Sequence, residues 1–434
     1  MYKLTLFNAA LFVLALLPSL ASAVPTIQHW QTANGAKVYF VAAPELPMVD
    51  VQVVFDAGSA RDESKPGIAK FVNALLHSGT EKLSADVVAE RLDALGAQLG
   101  GGAERDMAWM SLRSLSEAQY LDTAVNTVAS LLQEPAFAST SMERERNRLI
   151  AGVRAGNQSP GTIAARAFYQ TLYAEHPYAS PPEGTEVSLQ TITQGDLKAF
   201  HSRYYVAANA VVAIVGNLDR ERAEAVAMVL VGSLPVGEAA PDLPPVQPLT
   251  QAQVVRIEHP SSQAHVLIGQ LGMKRHDPDY FSLFLGNHVL GGSGLISRLA
   301  EEVREKRGLS YSTYSYFAPM RQAGPFVMGL QTLNEQAEEA IDVTEATLKE
   351  FVTQGPTPNL LEAARQNITG GFPLRIDSNG KIVRYLAAIG FYELPLDYLD
   401  VFTAKINAIS QQQVNDALKR RLNPDQLLTV VVGG

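Results

Sequence analysis

Residues Ile192 to Gly216 align without a gap on Ile409 to Gly433, a constant offset of 217 residues (Ile192 against Ile409). In each copy an Ile, a Thr or Ser, and a Gln open a helix, with Thr193 and Ser410 placed to cap it. Leu197, Phe200 and Tyr204 give the first copy one buried face. A β-branched run follows, VVAIVG in one copy and LTVVVG in the other, and reads as a buried strand. Two helix–strand units held in register predict duplication of one domain of about 200 residues. Between the copies, Leu234–Thr250 carries five prolines and interrupts every periodic pattern, as a linker does. The expected domains are therefore 24–233 and 251–434, joined by 234–250.

A chain of 434 residues with 47% hydrophobic content is long enough for two cores. Val51–Phe55 reads as a strand, and Val88, Leu92 and Leu95 sit at helical spacing between a start signal at Ser84 and a stop at Gly96. Strands and helices do not alternate strictly, so the fold class is α+β rather than a doubly wound sheet.

Residues 1–23 read as a cleaved secretory signal: Lys3, then a largely apolar run from Leu4 to Leu17, then Ala21-Ser22-Ala23. The apolar run is too short to span a bilayer comfortably. The chain has no cysteine, so neither a disulfide nor a lipidated N-terminal cysteine is available. Export without disulfides suits a bacterial periplasm. The formal net charge of −9, or −10 once Lys3 leaves, argues against nucleic acid or an anionic membrane as partner.

The stretch Gly58–Thr80, GSARDESKPGIAKFVNALLHSGT, resembles the active-site segment of the pitrilysin/insulinase zinc peptidases, the inverzincins. Gly58, Ser59, Glu63, Gly67, Ala69, Phe71, Gly79 and Thr80 fall in register with that family's pattern. The signature H-x-x-E-H should then occupy positions 70 to 74, which here read Lys70, Phe71, Val72, Asn73 and Ala74. The resemblance places the third zinc ligand at Gly152, with Ala151 as the one-residue alternative, and keeps Glu145 about two turns earlier. A catalytic zinc needs about three donors from His, Asp, Glu or Cys plus an open position for water. Ala74 and Gly152 donate nothing, Asn73 is a poor base, and an ammonium at Lys70 repels a dication. No metal is expected in this chain.

The resemblance extends over nearly the whole chain after the leader. His176-Pro177-Tyr178 with Gly184-Thr185, and Tyr205, Asn209 and Val215-Gly216, match further family motifs. It implies two similar α+β domains of the mitochondrial-processing-peptidase-like metallohydrolase type, arranged like the shells of a clam.

In the second half, LGGSGLISRLAEEVREKRGLSYSTYSYF spans Leu290–Phe317. Ile296, Leu299 and Val303 predict a helix from Leu295 to Arg307 that buries their face, stops at Gly308 and gives way to a strand from Leu309. Arg304 and Tyr311 match the family's arginine–tyrosine pair, which the resemblance directs into a zinc chamber as a catalytic contribution. A guanidinium clamps a substrate carbonyl and a phenol donates to an oxyanion. Alternatively, Arg304 pairs with Glu301 on a solvated face and Tyr311 is a strand aromatic. Gly291, Gly292 and Gly294 form a glycine-rich loop suited to close approach of a peptide backbone, or simply to turning.

His29, His259, His265, His276 and His288 are scattered, and only His259 and His265, flanking a Pro-Ser-Ser turn, offer an alternative metal site. The expected role is a non-catalytic subunit of a heterodimeric periplasmic peptidase, with zinc in a homologous H-x-x-E-H partner and peptides as substrates. A peptide-binding or scaffold protein on the same fold is the alternative.

Overall fold

In a computed structural model the structure describes residues 26–434, so the expected leader lies outside the described residues. The strands are β1 (Gln28–Gln31), β2 (Lys37–Ala42), β3 (Met48–Phe55), β4 (Gln98–Ala103), β5 (Ala108–Leu115) and β6 (Ala210–Gly216), then β7 (Gln253–Ile257), β8 (Gln263–Leu271), β9 (Thr313–Phe317), β10 (Pro325–Leu333) and β11 (Leu428–Val432). They form two sheets, ordered β1-β2-β6-β3-β5-β4 and β7-β11-β8-β10-β9. Apart from β1, the sheets correspond strand for strand: β2/β6 and β7/β11 are parallel, and the remaining pairs are antiparallel. The 217-residue offset carries through the ladders. Asp50 lies between Val215 and Arg113, and His265 between Val432 and Gln331. The duplication is thus visible in register as well as in topology.

Local rules explain the paired elements. Thr193 and Ser410 both close capping boxes, with Asp196 and Gln413 respectively. Ser84 caps Ala85–Ala94, and Gly96 takes φ +63° just beyond that helix. β6 is buried along its whole length, so its side chains face apolar neighbours on both sides of the sheet. The segment 235–249 contains neither helix nor strand.

Each half covers the other's sheet. Helix Pro160–Tyr173 of the first half lies on the second sheet, where Phe168 and Leu172 pack with Val327, Leu428, Val430 and Val432. Helix Asn379–Phe391 of the second half lies on the first sheet, where Leu386 and Ile389 share a cluster with Tyr39, Val54, Val211 and Val215. Gly390 permits this approach, since a Cβ there would sit 2.5 Å from both Tyr39 and Val211. Full burial of each large side chain stabilises by about 1.5–3 kcal/mol, so much of both cores depends on the exchange. Asp106 adds a polar fastening. Its carboxylate accepts hydrogen bonds from the Tyr178 hydroxyl, from the Arg321 amide at 2.8 Å and from the Tyr392 hydroxyl at 2.9 Å. Burial pushes the Asp106 carboxyl above its usual range, against the pull of those three donors.

The helix expected over Leu295–Arg307 is shorter. Gly294 is left-handed at φ +63°, Gly294–Ile296 makes one 3₁₀ turn, and Ser297 is extended. The Ser297 hydroxyl then accepts from Ala300 N at 3.2 Å, an N-cap that starts the helix at Arg298, three residues later than expected. Leu299 and Val303 are buried as expected, but Ile296 is 73% exposed. Ala300–Glu305 winds as a π turn before Gly308 stops it at φ +65°. The strand begins at Thr313 rather than Leu309, because Ser310 turns its hydroxyl to the carbonyls of Ser312 and Gln331 and holds that segment off the ladder.

Candidate functional site

Positions 70, 73 and 74 lie on helix Ile68–Leu76, which packs against helix Ser139–Gly156, where Glu145 and Gly152 lie. Gly67 starts the first helix in a left-handed conformation, and the buried Asp62 carboxylate accepts from Gly67 N at 2.7 Å and Ala69 N at 3.0 Å. The frame that would present a metal is therefore built. Its donors are not. Lys70 and Ala74 are half-buried, and Asn73 is buried with its amide donating to the Trp109 carbonyl at 3.0 Å. Gly152 is exposed, with open space where a side chain would be. Ala151, the alternative position, is exposed too.

Glu145 is claimed by Arg148, whose Nε donates to its two oxygens at 3.0 and 2.9 Å. That hydrogen bond raises the Arg148 pKa. His77, three residues beyond Ala74, stands close enough to Glu145 for the carboxylate to raise its pKa, although burial lowers it more. The helical i, i+3 spacing from position 74 could have flagged it. His77 and Glu145 are two donors, one already paired, and no group of three His, Cys, Asp or Glu side chains converges among the described residues. His259 and His265 form no exception: His265 faces helix Pro160–Tyr173, 3.3 Å from the Cβ position of Gly161. The residues present do not fit a catalytic zinc.

The structure does bring Arg304 and Tyr311 together. The guanidinium carbon lies 4.7 Å from the Tyr311 ring centroid, and Tyr311 is 83% exposed. Glu301 pairs with Arg298 and Lys306, while among the described residues Arg304 has only a 3.5 Å ion pair with Glu305. The Arg304 Nη1 is buried and has no hydrogen-bond partner among the described residues. Two turns of chain away, Gly291 is buried against Ser315, with its Cβ position 2.5 Å from Ser315 N, whereas Gly292 and Gly294 are exposed beside Leu295 and Ile296. The glycine-rich loop thus has one structural member and two on an open surface.

Fold and site define a duplicated α+β metallopeptidase scaffold whose metal-binding helix has lost its ligands. Residues 37–186 match the family model for Insulinase (Peptidase family M16), and residues 191–368 that for the Peptidase M16 inactive domain. A crystal structure of a peptidase M16 inactive domain from Pseudomonas fluorescens is 40% identical, covers 94% of this chain and 97% of that one, and superposes with a TM-score of 0.91. The chain belongs to peptidase family M16, as an inactive member. It is also 26% identical over 409 residues to the non-peptidase homolog YmxG of Helicobacter pylori, covering 93% of each. Against the uncharacterized zinc protease YmxG of Bacillus subtilis it is 24% identical over 410 residues, covering 93% of this chain and 98% of that protein.

Proposed function

We propose that this protein is the non-catalytic subunit of a heterodimeric peptidase in the periplasm, completing the substrate chamber of a homologous partner that carries H-x-x-E-H and the zinc. The observation that carries this reading is the Arg304–Tyr311 pair. A guanidinium whose buried Nη1 has no hydrogen-bond partner among the described residues lies against a tyrosine that is 83% exposed, on a chain whose own metal positions are Lys70, Asn73, Ala74 and Gly152. Side chains so arranged have no reaction of their own to serve and are free to act on a substrate held by another subunit. Arg304 would orient a peptide carbonyl and Tyr311 would donate a hydrogen bond to the oxyanion developing on it, with a zinc held by the partner supplying the Lewis acid. The glycines Gly292 and Gly294 leave the peptide room to approach.

The test is capture of the tagged protein from its native periplasm, followed by mass spectrometry. A near-equimolar chain bearing H-x-x-E-H supports the reading. Recovery of this chain alone contradicts it and leaves a peptide-binding or scaffold role.

A further inference from the structure

The two sheets carry different residues at equivalent positions, and the difference opens a cleft. Carrying the 217-residue register from β6/β11 across the ladders makes Asp50 equivalent to His265, Arg113 to Gln331 and Ser111 to Gly329. On the outer strands it makes Gly100 equivalent to Tyr314 and Gly102 to Tyr316. The exchanged helices obey the same relation, since Gly161 approaches His265 while Gly380 approaches Asp50 and Arg113.

In the second half, Tyr314 and Tyr316 stack at 6.0 Å and fill the sheet face, with the Tyr314 hydroxyl lying over Gly329. In the first half Gly100 leaves its part of that face open, while the Trp109 indole lies over Gly102, 2.5 Å from where a Cβ would stand. A cleft of about 540 Å³ results, on the face turned toward helix Asn379–Phe391 and away from helix Ile68–Leu76.

Its chemistry is specific. Trp109 forms an apolar wall, and Gln52, Gln98 and Ser111 supply hydrogen-bonding groups. Two arginines face one carboxylate across it. Arg113 Nε donates to Asp50 at 2.9 Å, while the exposed Arg384 has neither an ion-pair nor a hydrogen-bond partner among the described residues. The local balance is one uncompensated positive charge. The cleft is also bounded by β4, the outermost strand of its sheet, whose far edge has no pairing strand among the described residues. A cleft with a strand edge along one side and a surplus cation suits an extended chain bearing a negative group.

We propose that this cleft binds a peptide segment through a carboxylate held by Arg384 and Arg113, with the adjoining residue against Trp109. The site belongs to this chain alone and does not depend on a partner subunit or on the degenerate metal positions.

The chain has two tryptophans, so Trp30→Phe leaves Trp109 as the only reporter. That protein is titrated with three N-acetylated Ala-rich pentapeptides: one with a free C-terminal carboxylate, its C-terminal amide, and an amide with a central Glu. A saturable change in Trp109 fluorescence at or below about 1 mM is expected with a carboxylate-bearing peptide and not with the uncharged amide. Response to the first peptide alone identifies a C-terminal carboxylate as the ligand, and response to the third identifies an acidic side chain. Arg384→Ala, at an exposed position, should weaken binding about tenfold. The double variant Gly100→Tyr/Ser111→Gly copies the Tyr314–Gly329 arrangement into the first half and should abolish binding while circular dichroism is unchanged. No response to either charged peptide, or equal affinity in the parent and Arg384→Ala proteins, overturns the proposal.

Discussion

The Arg304 guanidinium carbon lies 4.7 Å from the centre of the Tyr311 ring, although Gly308 separates them with a left-handed turn. The turn is what allows it: the helix ends, the chain reverses, and the tyrosine folds back over the last helical turn. An exposed cation–π contact is worth about 0.5–1 kcal/mol, too little to account for a phenol left 83% exposed.

Asp106 should prove the polar centre of the junction between halves. Asp106→Ala leaves the hydroxyls of Tyr178 and Tyr392 without their acceptor, and a cost of about 3 kcal/mol is expected. Tyr392→Phe, which removes one donor, should cost about 1 kcal/mol. Urea denaturation of both variants measures this, and equal midpoints for all three proteins would remove Asp106 from the junction.

Acidification through the histidine range should weaken the fold. His77, His176, His201, His265 and His288 all have pKa values lowered by burial. The folded state therefore favours the neutral ring, and the unfolded chain binds protons first as pH falls below about 6.5. Stability is full above that pH and declines below it, by at most about 1.4 kcal/mol per pH unit for the well-buried His77 and His201, and by less for the more exposed rings, which solvent screens. His201 stacks on Tyr205 at 4.9 Å and bonds to the Leu132 carbonyl at 2.9 Å. Denaturation midpoints between pH 7.5 and 5.5 should fall less steeply in His201→Gln than in the parent, and identical slopes would exclude this residue.

The metal frame should be recoverable. Lys70→His, Ala74→His and Gly152→Glu would set two imidazoles one turn apart, opposite a carboxylate on the neighbouring helix. The triple variant should bind zinc at micromolar concentration or tighter in calorimetry, and the parent should not. Equal zinc binding by both would show that donors other than these positions serve.

What could be read in advance was local or periodic. The caps at Ser84, Thr193 and Ser410, the buried run of β6 and the 217-residue register depend on neighbouring residues or on repetition, and each is present. The late helix start is itself legible, since Ser297 is a good N-cap residue. The exchange of helices between halves was not legible. Gly390 records it only through Tyr39 and Val211, far away in the chain. The cleft beside Arg384 and Trp109 was hidden for the same reason, being the product of glycines on one strand and a helix from the other half.

The proposed role places Arg304 and Tyr311 on a reaction housed in a partner. It is tested most directly by reconstituting the heterodimer with an H-x-x-E-H subunit and measuring peptide turnover with the parent chain and with Arg304→Ala/Tyr311→Phe. Loss of about 100-fold or more in kcat, with assembly unchanged by analytical ultracentrifugation, is the predicted result. Full turnover by the double variant would contradict it.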